Sequence, residues 1–415
     1  MCQRFCRDPS DGSRRPPRRN RLGQARRPPA WLWVAGLAAG AVACGGENPI
    51  ATSCVLEQHA LIGTPLTLLR DARLDAIGDA FVLLGSDPSG STVRWVRLSR
   101  TGSTGAEHEI DVPEHVAGPW FAVAGSAAPM DRLIVAYVAP GAPVTGMADL
   151  MTFTVQFDGT LPTLPTVAGP IAVGAGARVT MASGREGMHA GIAWGTTGST
   201  SLAARILDGD GKPVGADLAL GTVNAFDCLR FLPGKGDLTI GYVDQSGTPP
   251  MPVFQATEIT PAGTPQTPFR VHVGKELPEC IEMTPADTGY GIAWHTEGIG
   301  FSFGVFQPTE ASFPSRMFLG DIRFLPAKAP PLGGVGWMGK HYAIGFARPG
   351  GAEVRLVDAM ANDAGKLPVF PSASGHTGTL STQPVGMALY GTYADYPSAT
   401  STTTGQRFLV GVTCP

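Results

Sequence analysis

The chain has 415 residues, enough for two or three average domains or for one large β architecture. Hydrophobic residues make up 43% and charged residues 16%, which promises a substantial core and excludes a highly charged disordered chain. The formal net charge is −3, with most of the basic excess in the first 30 residues. The remainder is acidic and has none of the basic, aromatic-interleaved stripes that a nucleic-acid partner requires.

Residues 1–29 carry a dense Arg/Pro run, with Arg14, Arg15, Arg18, Arg19, Arg21, Arg26 and Arg27. An uncharged stretch of 14 residues, 30–43, follows. That is shorter than the about 20 apolar residues an ordinary transmembrane helix needs. Basic, then briefly apolar, then small is the layout of a secretory signal. Ala41–Val42–Ala43–Cys44 resembles a bacterial lipobox, with Ala41 where that motif usually has Leu. The resemblance implies a signal peptide over 1–43, a diacylglycerol on Cys44 and a lipidated tether over 44–53. Gly45 is compatible with transfer to an outer membrane. Residues 54–415 are then the folded unit.

Beyond the tether one short pattern recurs: an aliphatic residue, a small one, an aromatic one. It reads Val135–Ala136–Tyr137, Ile192–Ala193–Trp194, Ile240–Gly241–Tyr242, Ile292–Ala293–Trp294 and Ile344–Gly345–Phe346. Weaker copies are Val82–Leu83–Leu84 and Ala388–Leu389–Tyr390. Their third positions are spaced by 53, 57, 48, 52, 52 and 44 residues. A period near fifty with short β-rich segments predicts an all-β, seven-bladed β-propeller of four-stranded antiparallel blades. In the third repeat the expected strands are Arg178–Met181, His189–Trp194, Leu202–Leu207 and Ala216–Leu220. Glycines such as Gly102, Gly159, Gly211, Gly263 and Gly365 mark the hairpin turns.

The two ends do not match. The last copy stops at Arg407–Thr413, which reads as a third strand. Ahead of the first copy, the segment Ala60–Leu69 resembles a fourth strand. The N-terminal strand is therefore expected to complete the last blade, removing two open sheet edges. Cys54 and Cys414 flank the strands that must meet. Of the seven cysteines, Cys2 and Cys6 lie in the signal and Cys44 at the anchor. Four remain, and the favoured pairing is Cys54–Cys414 with Cys228–Cys280, the latter at equivalent positions in adjacent repeats.

Residues twelve before each repeat's third position are Ala72, Gly125, Ala182, Arg230, Glu282, Gly334 and Gly378. Five are small, as crowded inner strands require, and the two exceptions are opposite charges in neighbouring blades. They suggest an inter-blade ion pair, or part of a polar patch at the central channel. Arg70, Asp71, Arg73, Arg178, Asp227, Glu279 and His376 fall nearby by the same count.

Other chemistry is not signalled. Asp208 and Asp210 read as a hairpin turn rather than a calcium loop, because the later acidic ligand is missing. Glu107–His108–Glu109 and Glu114–His115 read as a solvated edge, and no HExxH spacing occurs. There is no GxSxG elbow, P-loop or dinucleotide-binding glycine pattern. No metal, cofactor or catalytic residue is therefore expected.

The repeats, with their apolar–small–aromatic core and Asp/Gly turns, resemble the secreted seven-bladed β-propeller lipoproteins of Gram-negative bacteria. That resemblance implies a monomer anchored to the outer membrane and facing the periplasm or cell surface. It implies a non-enzymatic scaffold for a protein or glycan partner. The rival reading is a hydrolase or lyase acting on polysaccharide at the channel through Asp227, Glu279 and Glu282. On the lipobox reading, Cys44→Ser is expected to block processing or release the protein from membranes. N-terminal mapping of the wild type should then find residue 44 first.

Overall fold

The computed structural model describes residues 54–61, 72–77, 80–125, 131–141, 146–160, 162–173, 176–196, 201–221, 223, 225–246, 252–272, 278–296, 300–309, 315–320, 332–348, 351–367, 370–371, 377–385, 388–395 and 406–414. The signal peptide, Cys44 and the tether lie outside them, as do Arg70, Asp71 and His376. So do the side chains of Glu279 and Cys280.

Every described element is a strand. An N-terminal strand, β1 (Val55–Leu61), precedes the first blade of β2 (Arg73–Ile77), β3 (Ala80–Ser86), β4 (Thr92–Leu98) and β5 (Thr104–Asp111). Blade 2 holds β6 (Ala117–Ala124), β7 (Arg132–Val138), β8 (Gly146–Gln156) and β9 (Thr166–Val173). Blade 3 holds β10 (Ala177–Ser183), β11 (Ala190–Thr196), β12 (Leu202–Leu207) and β13 (Leu218–Gly221). Blade 4 holds β14 (Phe226–Leu232), β15 (Leu238–Asp244), β16 (Val253–Ile259) and β17 (Phe269–His272). Blade 5 holds β18 (Pro278–Pro285), β19 (Tyr290–Thr296), β20 (Gly300–Phe306) and β21 (Ser315–Gly320). Blade 6 holds β22 (Leu332–Trp337), β23 (His341–Arg348), β24 (Gly351–Asp358) and β25 (Asp363–Lys366), with a short β26 (Phe370–Pro371) also on β24. Blade 7 holds β27 (Thr377–Val385), β28 (Ala388–Asp395) and β29 (Gln406–Thr413), and its fourth strand is β1. The result is a seven-bladed propeller of antiparallel blades, as the repeat period predicted.

The recurring tripeptides all lie on second strands, which are apolar on both faces. Strand β15 is buried at every position, because its two faces meet the two neighbouring blades. The third-position aromatics Tyr137, Trp194, Tyr242 and Trp294 are 1–4% exposed, so they are blade core. Burial of one such ring stabilises by roughly 2–3 kcal/mol. The small middle residue has its own steric cause. A Cβ added to Gly241 would stand 2.6 Å from Leu232 Cδ1 and 2.9 Å from the Phe254 ring. Among the described residues the buried apolar side chains form seven clusters, one in each gap between neighbouring blades. The gap between blades 7 and 1 is filled by Leu61, Leu74, Phe81, Tyr390 and Leu409, which closes the ring.

The closing strand sits upstream of the expected Ala60–Leu69. Strand β1 pairs with β29 from Val55 opposite Thr413 to Leu61 opposite Arg407. An outermost strand has one face in water, and the mixed sequence Val–Leu–Glu–Gln–His–Ala–Leu suits that place better than a continuous apolar run. Cys54 and Cys414 form the expected disulfide, with Cα atoms 4.2 Å apart across 360 residues of sequence. It stands where other blades have a covalent hairpin. Cys54→Ala and Cys414→Ala should therefore each destabilise, by up to about 4 kcal/mol on chain-entropy grounds. The double variant should be no worse than either, as urea unfolding would show.

Candidate functional site

Inner strands bring chemistry together only where they end. Strands β10, β14, β18 and β22 finish at Ser183, Leu232, Pro285 and Trp337, and each turns at once into its second strand. Around these turns lies an open depression of about 580 Å³, lined by residues of blades 1, 3, 4, 5 and 6. Its volume is that of an ordinary small-ligand site. The charged side chains in its wall are Asp75, Arg185, Lys235, Asp237 and Asp287, and Phe231 and Trp337 are its aromatic ones.

The turns are held by buried hydrogen bonds. Asp237, with 1% of its side chain exposed, accepts the Glu186 backbone N–H at 3.0 Å through Oδ1. Its own carbonyl accepts the Arg185 N–H at 2.8 Å. Its Oδ2 stands 3.4 Å from His189 Nδ1. Residue 184 is glycine for a reason: a Cβ there would lie 2.6 Å from Asp237 Oδ1. Asp237 thus pins the blade 4 turn to the blade 3 turn. On the other side, Glu258 Oε1 accepts the Lys235 N–H at 2.7 Å and the Tyr290 hydroxyl. Burial pushes the Tyr290 hydroxyl pKa well up, and the Glu258 carboxylate beside it adds to the rise. Lys235 Nζ lies 5.4 Å from the Tyr290 ring centroid. Trp337 packs on Tyr342, centroids 4.6 Å apart, and its buried Nε1 has no hydrogen-bond partner among the described residues.

Those residues singled out from sequence whose side chains are described lie elsewhere. Arg178 and Asp227 stand near the starts of β10 and β14, at the end of the inner strands remote from the cavity. Asp227 Oδ1 is engaged locally, accepting the Cys228 N–H at 2.7 Å. Cys228 has φ +53° inside a bulge of β14 and is disulfide-bonded. Its sulfur accepts the Ile281 N–H at 3.4 Å, one residue from Cys280. Arg230 and Glu282 do meet: Arg230 Nη2 donates to Glu282 Oε1 and to the Ile281 carbonyl. Burial raises the Glu282 carboxyl above its ordinary value, and the Arg230 guanidinium works against that rise.

Counting back twelve residues does not give equivalent positions in all blades. Arg230, Glu282 and Gly334 each face the residue before the aromatic, opposite Gly241, Ala293 and Gly345. In blades 1, 2 and 3 that partner is Leu74, Trp120 or Thr180. Hairpin lengths and bulges differ, so the offset drifts, and the position is not small in most blades. The strand-end cluster went unread for a related reason. Its signal is a charged turn directly after each inner strand: Gly184–Arg185, Gly234–Lys235–Gly236–Asp237 and Ala286–Asp287. A second inner-strand charge, Arg73, reaches furthest. It donates to Met181 O at 3.0 Å and to Phe121 O, faces Asp75 at 3.2 Å, and lies over the Phe121 ring at 5.0 Å. It ties together the inner strands of blades 1, 2 and 3.

No protein-family profile and no curated protein sequence matches the chain. Solved structures of similar shape exist at low identity. One belongs to a study of two prolyl endopeptidases, at 15% identity and TM-score 0.42, covering 79% of this chain and 46% of that one. The chain thus spans about half the length of that peptidase. A BBS1N chain in complex with ARL6DN is similar at 13% identity and TM-score 0.46, covering 86% of this chain and 96% of that one. A chain of Kuenenia stuttgartiensis hydrazine synthase is similar at 15% identity and TM-score 0.47, over 85% and 97%. The propeller assignment itself rests on the strand pairing described above.

The Arg230–Glu282 pair generates two expectations. Glu282→Ala should cost about 2–3 kcal/mol, because a largely buried guanidinium loses its partner. Replacing both by Gly and Ala should recover much of that. Since the folded-state value of Glu282 is raised, its contribution is fullest at low pH and is lost as pH climbs through the raised value. The stability of wild type relative to Glu282→Gln should therefore decline from pH 4.5 toward neutrality in urea titrations.

Proposed function

We propose that the chain is an exported, membrane-anchored, monomeric propeller that serves as a binding or assembly scaffold for a protein or glycan partner. The observation that carries this reading is the open cavity of about 580 Å³, where strand-end side chains of five blades converge on a rim fixed by Asp237. Of the carboxylates named for the enzyme reading, the two with described side chains are engaged outside this cavity. Asp227 takes a backbone N–H, and Glu282 takes Arg230. A general acid and base require two carboxyl groups converging on one bond with their proton affinities pushed apart.

Export is supported by the cysteine chemistry. A disulfide joining Cys54 to Cys414 belongs to an oxidising compartment. The Arg-rich start, the apolar stretch at 30–43 and the lipobox-like Ala41–Cys44 supply the route and the anchor. The inner-strand pair at Cys228 and Cys280 fits the same compartment, with Cys228 already in a disulfide.

A defined array of oligosaccharides and peptides, probed with the purified protein, tests the reading. Retention of one class without chemical change is expected. Release of a cleaved polysaccharide product that disappears in Glu282→Gln at unchanged Tm would overturn it in favour of an enzyme.

A further inference from the structure

The cavity rim sets two cations, Arg185 and Lys235, beside the carboxylates of Asp75, Asp237 and Asp287. Nine of the 31 Lys and Arg residues but only two of the 34 Asp and Glu residues precede position 44, leaving 22 basic against 32 acidic side chains beyond it. Within that acidic unit, two exposed cations stand on adjoining turns at the cavity mouth. Arg185 Nη1 reaches the Gly234 carbonyl at 3.3 Å, which lays its guanidinium against the turn that carries Lys235. Neither has an ion-pair partner among the described residues. Two acids beside these turns are engaged: Asp237 holds the Glu186 N–H and faces His189, and Glu258 holds the Lys235 N–H and the Tyr290 hydroxyl. Two neighbouring cations without a counter-charge favour an anion between them.

The remaining wall selects among anions. Trp337 offers an aromatic surface in the cavity, backed by Tyr342. Exposed Asp287 and the Asp75 carboxylate add acceptors suited to hydroxyl donors. An acidic peptide would bring its carboxylates against Asp75 and Asp287 as readily as against the cations. A sugar ring with one carboxylate and several hydroxyls matches all three surfaces. We infer that this cavity binds an anionic carbohydrate, its carboxylate held by Arg185 and Lys235, its ring against Trp337 and its hydroxyls donating to Asp287 and Asp75. The inference rests on the scaffold reading and names the ligand class for it.

Calorimetric titration of the full chain with a uronate oligosaccharide tests this. The controls are a neutral oligosaccharide of equal length and a poly-glutamate peptide. Saturable binding to the uronate alone is expected, weakening as salt is raised. Arg185→Ala with Lys235→Ala should reduce affinity by at least about tenfold without changing Tm, since both side chains are exposed. Arg178→Ala, at the far end of the inner strands, should leave affinity unchanged. Trp337→Phe should weaken binding while keeping an aromatic ring over Tyr342. Absence of uronate binding, equal binding of the neutral sugar, equal binding of poly-glutamate, or insensitivity to the double substitution would each overturn the inference. Cleavage of the bound uronate chain would instead refute the scaffold reading and leave the ligand assignment standing.

Discussion

Ring closure by β1 on β29 is the constraint on which the rest of the molecule depends. A propeller blade is stable only when both faces are covered, and each gap between blades is filled from two sides. Without β1, blade 7 would end in a third strand with an open edge, and Leu61 would leave the gap facing blade 1. Opening one gap exposes two apolar blade faces at once. The closing strand is therefore fastened three times: by its ladder with β29, by Leu61 in the gap and by the Cys54–Cys414 bond.

Closure also crowds seven strand starts and seven strand ends around one axis, and the polar groups there follow from that crowding. Side chains on inner strands cannot all be apolar, because the axis is open to solvent at both ends. Several of those that are charged find partners across blades. Arg73 spans three blades and Arg230 and Glu282 span two; on the third strand β29, buried Arg407 donates to Ala72 O across the closing gap. These contacts set the rotation of one blade relative to the next. They contribute modestly to stability and strongly to geometry.

The cavity is where the same construction leaves room. It lies around the turns at the ends of β10, β14, β18 and β22, where Gly184, Gly234 and Gly236 let the backbone close on Asp237, Thr239 and the Ile259 carbonyl. Asp237 and Glu258 serve as internal struts by accepting backbone N–H groups, so the rim is rigid before any ligand arrives. Preorganisation of that kind lowers the cost of binding. Arg185 and Lys235, exposed and in no ion pair among the described residues, are then the groups left to meet a partner.

Much of the architecture was legible in the chain, because it is written in local patterns. The aliphatic–small–aromatic tripeptide marks the second strands of blades 2 to 6, since a doubly covered strand must be apolar, and at Gly241 the middle residue must clear Leu232 and Phe254 of its own blade. Unequal ends announced the closing strand, and cysteine positions announced its bond. The polar sites were read less well. Arg178 and Asp227, expected near the channel, stand on inner strands at the end away from the cavity, and the residue count used for them drifts with hairpin length. Asp75, Arg185, Lys235, Asp287 and Trp337 come from five blades and share no sequence spacing. The sequence alone determined the strands, their number and the closure, which depend on residues near one another along the chain. Only the tertiary structure decided which charges meet and at which end, because register, bulges and turn lengths set where each inner strand stops relative to its neighbours around the axis.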